Sequence, residues 1–132
     1  GMFARTDGKK EIPELCLELF PYLADNLDKR AGLLSGGQQQ QLAIARALAT
    51  NPKILLLDEP TEGIQPNVVD DIRTSLIRLN KEFGITIVLT EQSIKIARSM
   101  SDQFAIMDAG KVVQAGDIGD LTDEAVQKHL TI

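Results

Sequence analysis

Two short motifs carry residue types that bind phosphate groups and react at them. The first, Ser35-Gly36-Gly37-Gln38, stands directly before a stretch of strong helix formers. Ser35 is a favoured N-cap residue, and the glycines allow a ligand to approach the backbone closely. Because the amides at a helix N-terminus attract anions, the motif predicts a phosphate contact. A helix cap without a ligand is the alternative that the motif by itself leaves open.

The second motif is a pair of adjacent carboxylates, Asp58 and Glu59, followed by Pro60. It comes directly after an apolar run, and ligands of open α/β sheets bind beyond the carboxyl ends of strands. Asp58 is predicted to hold Mg²⁺ through its water shell, and Glu59 to orient or deprotonate an attacking water. Taken singly, a polar exit from a strand into a loop explains the same residues.

A third polar group, Thr90-Glu91-Gln92-Ser93, ends the next predicted strand at the same edge of the sheet. Gln92 is predicted to sense or position a phosphate. Its amide can form hydrogen bonds with phosphate oxygens, but it carries no titrating proton. An ordinary helix cap at Ser93 is the alternative for this group.

Hydrophobic periodicity predicts the helices that position these motifs. Dense leucines after Pro13 predict a helix to about Asn26, which Pro21 should break or kink. Helix formers fill residues 38–50. An amphipathic helix is predicted over residues 67–83, with one apolar stripe: Val68, Val69, Ile72, Leu76, Leu79 and Phe83. Two further helices are predicted at residues 93–100 and 122–130.

Three short runs of branched apolar residues predict strands at residues 54–57, 86–89 and 104–107. The unbroken run at 54–57 suits a strand that is buried on both faces of a parallel sheet. Asp108 to Lys111 is a turn signal that returns the chain through residues 112–114 as a hairpin. Because strands and helices alternate, the predicted fold class is α/β with a layered architecture.

The composition is that of an ordinary globular protein with an acidic balance. The chain has 132 residues, a formal net charge of −5 and one cysteine, Cys16. The length suits one domain, and the charge argues against a surface dedicated to nucleic acid. A single cysteine allows no intramolecular disulfide and favours a reducing, cytosolic compartment. No apolar run approaches the roughly 20 residues of a transmembrane helix, and Gly1 before Met2 is typical of a cleaved tag.

Taken together, residues 34–38 and 54–60 resemble the signature motif and the Walker B motif of ABC ATPases in both order and spacing. The resemblance covers the chain from about Glu11. Residues 38–41, 61–66 and 90–92 look like those of the ATPase subunits of urea and branched-chain amino-acid importers. The urea-type subunit is the more similar of the two, chiefly at residues 62–66.

The resemblance implies a partial P-loop NTPase (ABC ATPase) fold: a parallel sheet with flanking helices that lacks the phosphate-loop strand. Residues 1–10 are expected to be a loose segment with a tag scar, 11–50 a helical subdomain with the signature motif, and 51–132 the C-terminal part of the RecA-like core. In this family the phosphate-loop strand lies between the strands at 86–89 and 104–107. Without it, we expect the sheet to close the gap, to self-associate, or both.

The resemblance also implies roles for the motif residues, in a site shared between two subunits. ATP held by a partner subunit would be contacted by Ser35, Gly36, Gly37 and Gln38. Asp58 would serve Mg²⁺ and Glu59 would be the catalytic carboxylate, with Gln92 at the switch position where a histidine is usual. The dimer-interface loop would contain Glu62, Gly63 and Gln65. Gln65 replaces an aspartate common in this loop, which puts its cross-interface contact in question.

The implied function is that of the C-terminal half of an ABC importer's ATP-hydrolysing subunit, using ATP and Mg²⁺ on the cytoplasmic face of the membrane. Its implied partners are a second ATPase subunit, the membrane permease subunits and, indirectly, a solute-binding protein. No Gly-rich phosphate loop occurs in these residues. A helix N-terminus contributes about 0.3–1 kcal/mol toward an anion, whereas micromolar affinity requires about 8 kcal/mol. The chain alone is therefore expected to bind nucleotide weakly and to be inactive.

Two other interpretations remain open. One is a non-catalytic interaction or structural fragment, which is the expected state of this chain in isolation. The other is a DNA-repair ATPase of the SMC class, which shares the signature and Walker B motifs. The acidic balance and the lack of heptad repeats argue against the SMC class.

Overall fold

Two prolines determine where the first helices of the chain begin. The computed structural model describes residues 11–129, in which α1 (Glu14–Leu19) follows Pro13 and α2 (Pro21–Ala24) starts at Pro21. The predicted break is confirmed, because proline has no N–H to continue the helix that precedes it. The predicted loose segment at residues 1–10 and the predicted helix end at Leu130 lie outside the described residues.

The long helices are α3 (Gly36–Leu48) and α4 (Pro66–Lys81). The apolar stripe predicted for α4 is buried at its centre, where Ile72, Leu76 and Leu79 are almost inaccessible to water. Its predicted last member, Phe83, is instead exposed. The helix ends two residues earlier, and Gly84 turns the chain with a φ of 66°.

Three side-chain interactions connect α4 and α3 to the first helix. The Ser75 hydroxyl donates a buried hydrogen bond of 3.2 Å to the Leu19 carbonyl, and the Cys16 thiol donates one of 3.4 Å to the Ala45 carbonyl. On the surface, Arg78 bridges two carboxylates, those of Glu82 and Glu18. Hydrogen bonds to Glu82 and, to a smaller extent, to Glu18 raise the pKa of the Arg78 guanidinium above its ordinary value. These interactions fix the depth at which α1 lies on α4.

The strands β1 (Ile54–Asp58) and β2 (Thr86–Thr90) form a parallel pair. Their register places Leu56 opposite Val88. The prediction that the first strand is buried on both faces is wrong: Leu55 is 3% exposed but Leu56 is 74% exposed. Side chains alternate across a sheet, and among the described residues only one face of this two-stranded sheet is covered.

The remaining elements form a second compact unit, which begins at Glu91. It contains α5 (Ile94–Met100), β3 (Gln103–Asp108), β4 (Lys111–Asp117) and α6 (Asp123–His129). The predicted hairpin is confirmed, since β3 and β4 are antiparallel and the turn residues Ala109 and Gly110 both have positive φ. A small core holds the unit together, made of Ile106, Leu121 and Val126.

The described strands therefore make two sheets of two strands each, with the orders β1-β2 and β3-β4. The expected closure of the gap stays a prediction. The boundary between the two compact units falls after Thr90. The division of the chain into a helical part to residue 50 and a RecA-like part from residue 51 stays a prediction. No helix in the described part of the chain has the length and apolarity needed to cross a bilayer.

Candidate functional site

The N-terminus of α3 is closed by a reciprocal pair of hydrogen bonds. The Ser35 hydroxyl oxygen accepts from the Gln38 backbone N–H at 3.4 Å, and the Ser35 N–H donates to the Gln38 side-chain oxygen at 2.9 Å. This capping box leaves the hydroxyl hydrogen and the side-chain NH₂ outside both bonds. Ser35 is exposed, and Gln38 is half-buried. The helix tip thus presents hydrogen-bond donors to solvent, which is the polarity that a phosphate requires.

The two glycines at this tip have different surroundings. Gly36 is exposed, and a methyl group in place of its hydrogen would meet nothing within 4 Å. Gly37 is buried, and the same methyl group would lie 2.7 Å from Val68 Cγ1. Gly36 therefore suits the close approach of a ligand that the sequence predicts, whereas the missing side chain of Gly37 is needed for packing within the chain.

The acidic pair lies at the carboxyl end of β1, at the predicted sheet edge. Asp58 is the last residue of the strand and stands opposite Thr90, the last residue of β2. The Thr90 hydroxyl donates to Asp58 Oδ1, and its oxygen accepts from the Glu59 N–H at 3.2 Å. The Glu59 N–H also donates to the Thr90 carbonyl at 3.2 Å. One threonine thus orients the first carboxylate and holds the backbone of the second.

The backbone at Glu59 is strained. Its φ is 44°, in the left-handed region that residues with a side chain rarely adopt. The conformation of Glu59 is also held from the C-terminal side. Pro60 and Thr61 are buried there, and the Glu62 N–H donates to the Glu59 carbonyl. Such strain persists where the surroundings determine the conformation, and it is concentrated at functional sites.

The loop over residues 61–66 leads from the acidic pair to α4. Glu62 and Gly63 are exposed, and Gly63 turns the chain with a φ of 67°. Gln65 is the N-cap of α4 but makes no capping hydrogen bond with its side chain. An aspartate would cap this helix better than Gln65 does. The exposed side chain of Gln65 is thus not committed to the start of its own helix.

Gln92 lies two residues beyond the end of β2 and belongs to the second unit. It is exposed and is followed by Ser93, whose hydroxyl oxygen accepts from the Ile96 N–H and caps α5. The cap predicted at Ser93 is confirmed. The role of Gln92 toward a phosphate stays a prediction.

The residues present fit the expected nucleotide and metal. Asp58 is an exposed carboxylate with one oxygen hydrogen-bonded to Thr90, and Mg²⁺ at nucleotides is commonly held by one or two carboxylates, waters and phosphate oxygens. Over residues 11–129 no group of three His, Cys, Asp or Glu side chains is close enough to enclose a metal. The donors at Ser35 and Gln38 fit phosphate oxygens.

Sequence reasoning missed two features of this site. One is the double role of Thr90, for which a threonine at the end of a strand beside a predicted acidic edge is a weak signal. The other is the contact of Gly37 with Val68 and Ile64. Ile64 and Val68 lie about thirty positions further along the chain, and no local pattern indicates them.

Comparison with known proteins gives the same fold, and a family model matches part of the chain. The ABC transporter family matches residues 14–62. The methionine import ATP-binding protein MetN of Bifidobacterium longum is 44% identical over 102 residues, which are 77% of this chain and 25% of MetN. The high-affinity branched-chain amino acid transport ATP-binding protein BraG of Pseudomonas aeruginosa is 40% identical over 113 residues, 86% of this chain and 48% of BraG.

A solved structure resembles the chain over a similar extent. It is the dimeric post-hydrolysis state of the ATP-binding cassette MJ0796 bound to ADP and phosphate, with a TM-score of 0.69 and 35% identity. The match covers 78% of this chain and 44% of the cassette. The fold is therefore that of an ABC ATPase cassette. The chain spans less than half the length of each of these three proteins.

Proposed function

Because residues 14–62 match the ABC transporter family and the chain has the fold of an ABC ATPase cassette, we propose that it is the C-terminal part of an importer's ATP-hydrolysing subunit. The observation that carries this proposal is the pairing of a donor-rich helix tip at Ser35 with a strained acidic strand end at Asp58 and Glu59. In the proposal, residues 11–50 are the helical subdomain and residues 51–132 the C-terminal part of the RecA-like core.

In this proposal each motif residue has a role in handling ATP, and the tip of α3 acts on ATP held by a second ATPase subunit. The helix tip would donate hydrogen bonds to the γ-phosphate through Ser35, Gly36, Gly37 and Gln38. Asp58 would hold Mg²⁺ through a water, and the metal would neutralise charge on the phosphates. Glu59 would take the proton of the attacking water. Gln92 would position a phosphate oxygen as a hydrogen-bond donor without exchanging a proton.

The partners follow from the same proposal. Glu62, Gly63 and Gln65 would lie at the interface with the second ATPase subunit, and their exposure in this chain supports that. The dimeric state of the MJ0796 cassette supports a pair of ATPase subunits as the working form. The pair would act beneath membrane permease subunits on the cytoplasmic face, and indirectly with a solute-binding protein.

The transported solute is proposed to be a branched-chain amino acid or urea. The similarity to BraG supports the first. The likeness of residues 62–66 to urea-type subunits favours the second. Uptake measured with radiolabelled leucine and urea, in cells that carry the complete transporter, distinguishes these solutes.

The test of the catalytic role uses a complete ATPase made by joining this chain to the N-terminal part of BraG, here called the joined ATPase. We expect Glu59→Gln to lower its ATP hydrolysis by about 10² or more, since the general base is lost. Asp71→Asn also replaces a carboxylate by an amide, on an exposed turn of α4. It is the matched control and should hydrolyse at the native rate. Native turnover in the Glu59→Gln variant would remove Glu59 from the role.

The joined ATPase also tests the proposed function as a whole. Binding of a fluorescent ATP analogue reports whether its phosphate-loop half is folded. A joined protein that binds the analogue but hydrolyses no ATP, with Glu59 intact, would contradict the proposal that this chain completes an ATPase.

The second candidate function is a non-catalytic interaction fragment, which the open apolar face of the β1–β2 sheet favours. Titration of the isolated chain with Mg-ATP, followed by NMR of the amides of residues 38–44, can support only one of the two functions. Saturating shifts at these amides support nucleotide handling. Unchanged shifts up to millimolar ATP are expected of the isolated chain in either case, so the joined ATPase decides between them.

A further inference from the structure

Gly37 occupies a site where no side chain fits. A methyl group at this position would lie 2.7 Å from Val68 Cγ1, 3.2 Å from Val68 Cβ and 3.2 Å from Ile64 Cγ2. Ordinary contacts between carbon atoms are about 3.5–4.0 Å, so an alanine would require a displacement of about 1 Å. Two other glycines nearby, Gly32 and Gly36, have nothing within 4 Å of the same methyl position.

The partners of Gly37 cannot yield easily. Val68 is a β-branched residue in the first turn of α4, where a single rotamer is strongly preferred. Its N–H donates to the Gln65 carbonyl at 3.0 Å, so its backbone is fixed to the loop before the helix. Ile64 belongs to that same loop, which follows the acidic pair and begins with the buried Thr61. A larger residue at 37 would therefore displace the tip of α3.

We propose that Gly37 is a positioning residue, which seats the tip of α3 directly on Ile64 and Val68 and so sets the orientation of Ser35 and Gln38. This proposal rests on the proposed function, because it concerns the donors that would bind phosphate. It adds that Gly37 acts through a contact within its own chain and not only through the approach of a ligand.

The contact has a consequence for communication within the subunit. The loop that carries Glu62, Gly63 and Gln65 would meet the partner subunit, and Ile64 in the same loop lies 3.2 Å from the methyl position of Gly37. A shift of this loop on contact with the partner would thus move the donors at Ser35 and Gln38 without any intermediate element. The helix tip and the interface loop act as one body.

The test enlarges the side chain at position 37 of the joined ATPase and shortens the one at position 68. We expect Gly37→Ala to lower hydrolysis by about tenfold or more, since a misplacement of about 1 Å can cost as much as roughly 10²-fold. Binding of ATP to the phosphate-loop half should not change. Adding Val68→Ala to Gly37→Ala removes Cγ1, the atom of the 2.7 Å contact, and should restore most of the hydrolysis. Gly32→Ala is the control and should hydrolyse at the native rate.

The double variant separates positioning from direct contact with nucleotide. If Gly37 acts only because a ligand must approach it, removal of the Val68 methyl groups leaves the added methyl in the way and restores nothing. A double variant as slow as Gly37→Ala would therefore overturn the proposal, as would native hydrolysis in Gly37→Ala.

A second measurement on the isolated chain keeps the inference apart from the proposed function. Gly37→Ala should shift the NMR signal of the Ser35 amide, which is not adjacent to residue 37 in the chain, and the double variant should return it toward its native value. Alanine has a higher helix propensity than glycine. A lower free energy of unfolding in Gly37→Ala would therefore report the packing contact and not helix propensity. An unchanged Ser35 amide signal would overturn the inference even if the joined ATPase were active, and an inactive joined ATPase would leave this measurement decisive.

Discussion

At the scale of single residues, Thr90 organises the acidic strand end. It is 32 residues from Asp58 in the chain, yet its hydroxyl donates to Asp58 Oδ1. Its hydroxyl oxygen and its carbonyl both accept from the Glu59 N–H. A carboxylate that is to hold a metal through water gains from a fixed orientation, and partners of this kind affect metal affinity. Thr90, which is not itself a predicted site residue, therefore orients the acidic strand end.

Replacing Thr90 by valine tests this dependence. Thr90→Val keeps the β-branched shape and removes the hydroxyl, so we expect the joined ATPase to need about tenfold more Mg²⁺ for half-maximal hydrolysis. Thr86→Val is the matched control, four residues earlier on the same face of β2. An unchanged Mg²⁺ requirement in Thr90→Val would show that the hydroxyl does not serve the metal site.

At the scale of elements, a single buried hydroxyl connects the break between α1 and α2 to α4. In an unbroken helix the Leu19 carbonyl would accept from the Leu23 N–H, but that N–H donates to the Phe20 carbonyl, and Leu19 accepts from the Ser75 hydroxyl instead. Ser75 is 6% exposed and lies between the buried turns of α4 that contain Ile72 and Leu79. A residue more than fifty positions away thus supplies the hydrogen bond that the Leu19 carbonyl lacks at the predicted break.

We expect Ser75→Ala to lower the free energy of unfolding by about 1–3 kcal/mol, because a buried carbonyl loses its partner. Urea unfolding followed by circular dichroism measures the change. Thr74→Ala, on the exposed side of the same helical turn, is the control and should stay within about 0.5 kcal/mol of the native chain. A loss in Ser75→Ala no larger than in Thr74→Ala would mean that the Leu19 carbonyl finds another donor.

At the scale of the whole molecule, the β1–β2 sheet has one covered face and one open face. On the open face Leu56 is 74% exposed, Ile54 57% and Val88 53%. The cross-strand pair Leu56 and Val88 makes the apolar area continuous. Exposed apolar patches and unpaired strand edges promote association, so the open face supports self-association of the isolated chain.

Two substitutions on the open face test self-association. Leu56→Thr with Val88→Thr keeps the β propensity and removes most of the apolar area, so the apparent mass in light scattering should fall toward that of a monomer. Leu33→Thr removes an equally exposed leucine outside the sheet and should leave the native mass unchanged. A native chain that is monomeric over a wide concentration range would contradict self-association.

Much of the local structure could be predicted because its causes are local. Ser35 caps the helix that follows it, Pro21 breaks the helix before it, and Asp108 to Lys111 turns the chain between two strands. The placement of Asp58 and Thr90 at one edge also follows from sequence, since parallel strands end on the same side of a sheet. Helix capping, the proline ring and strand direction act over a few residues. Their causes can therefore be read from the sequence.

The rest was decided by tertiary contacts. Only the structure shows that Gly37 packs on Val68 while Gly36 stays open, and that Thr90 holds the acidic pair. The prediction of a strand at residues 54–57 buried on both faces failed for the same reason. Apolar residues in that run fix its preference for a strand, but burial of each face depends on which other elements cover it, and that information is not contained in the strand's own residues.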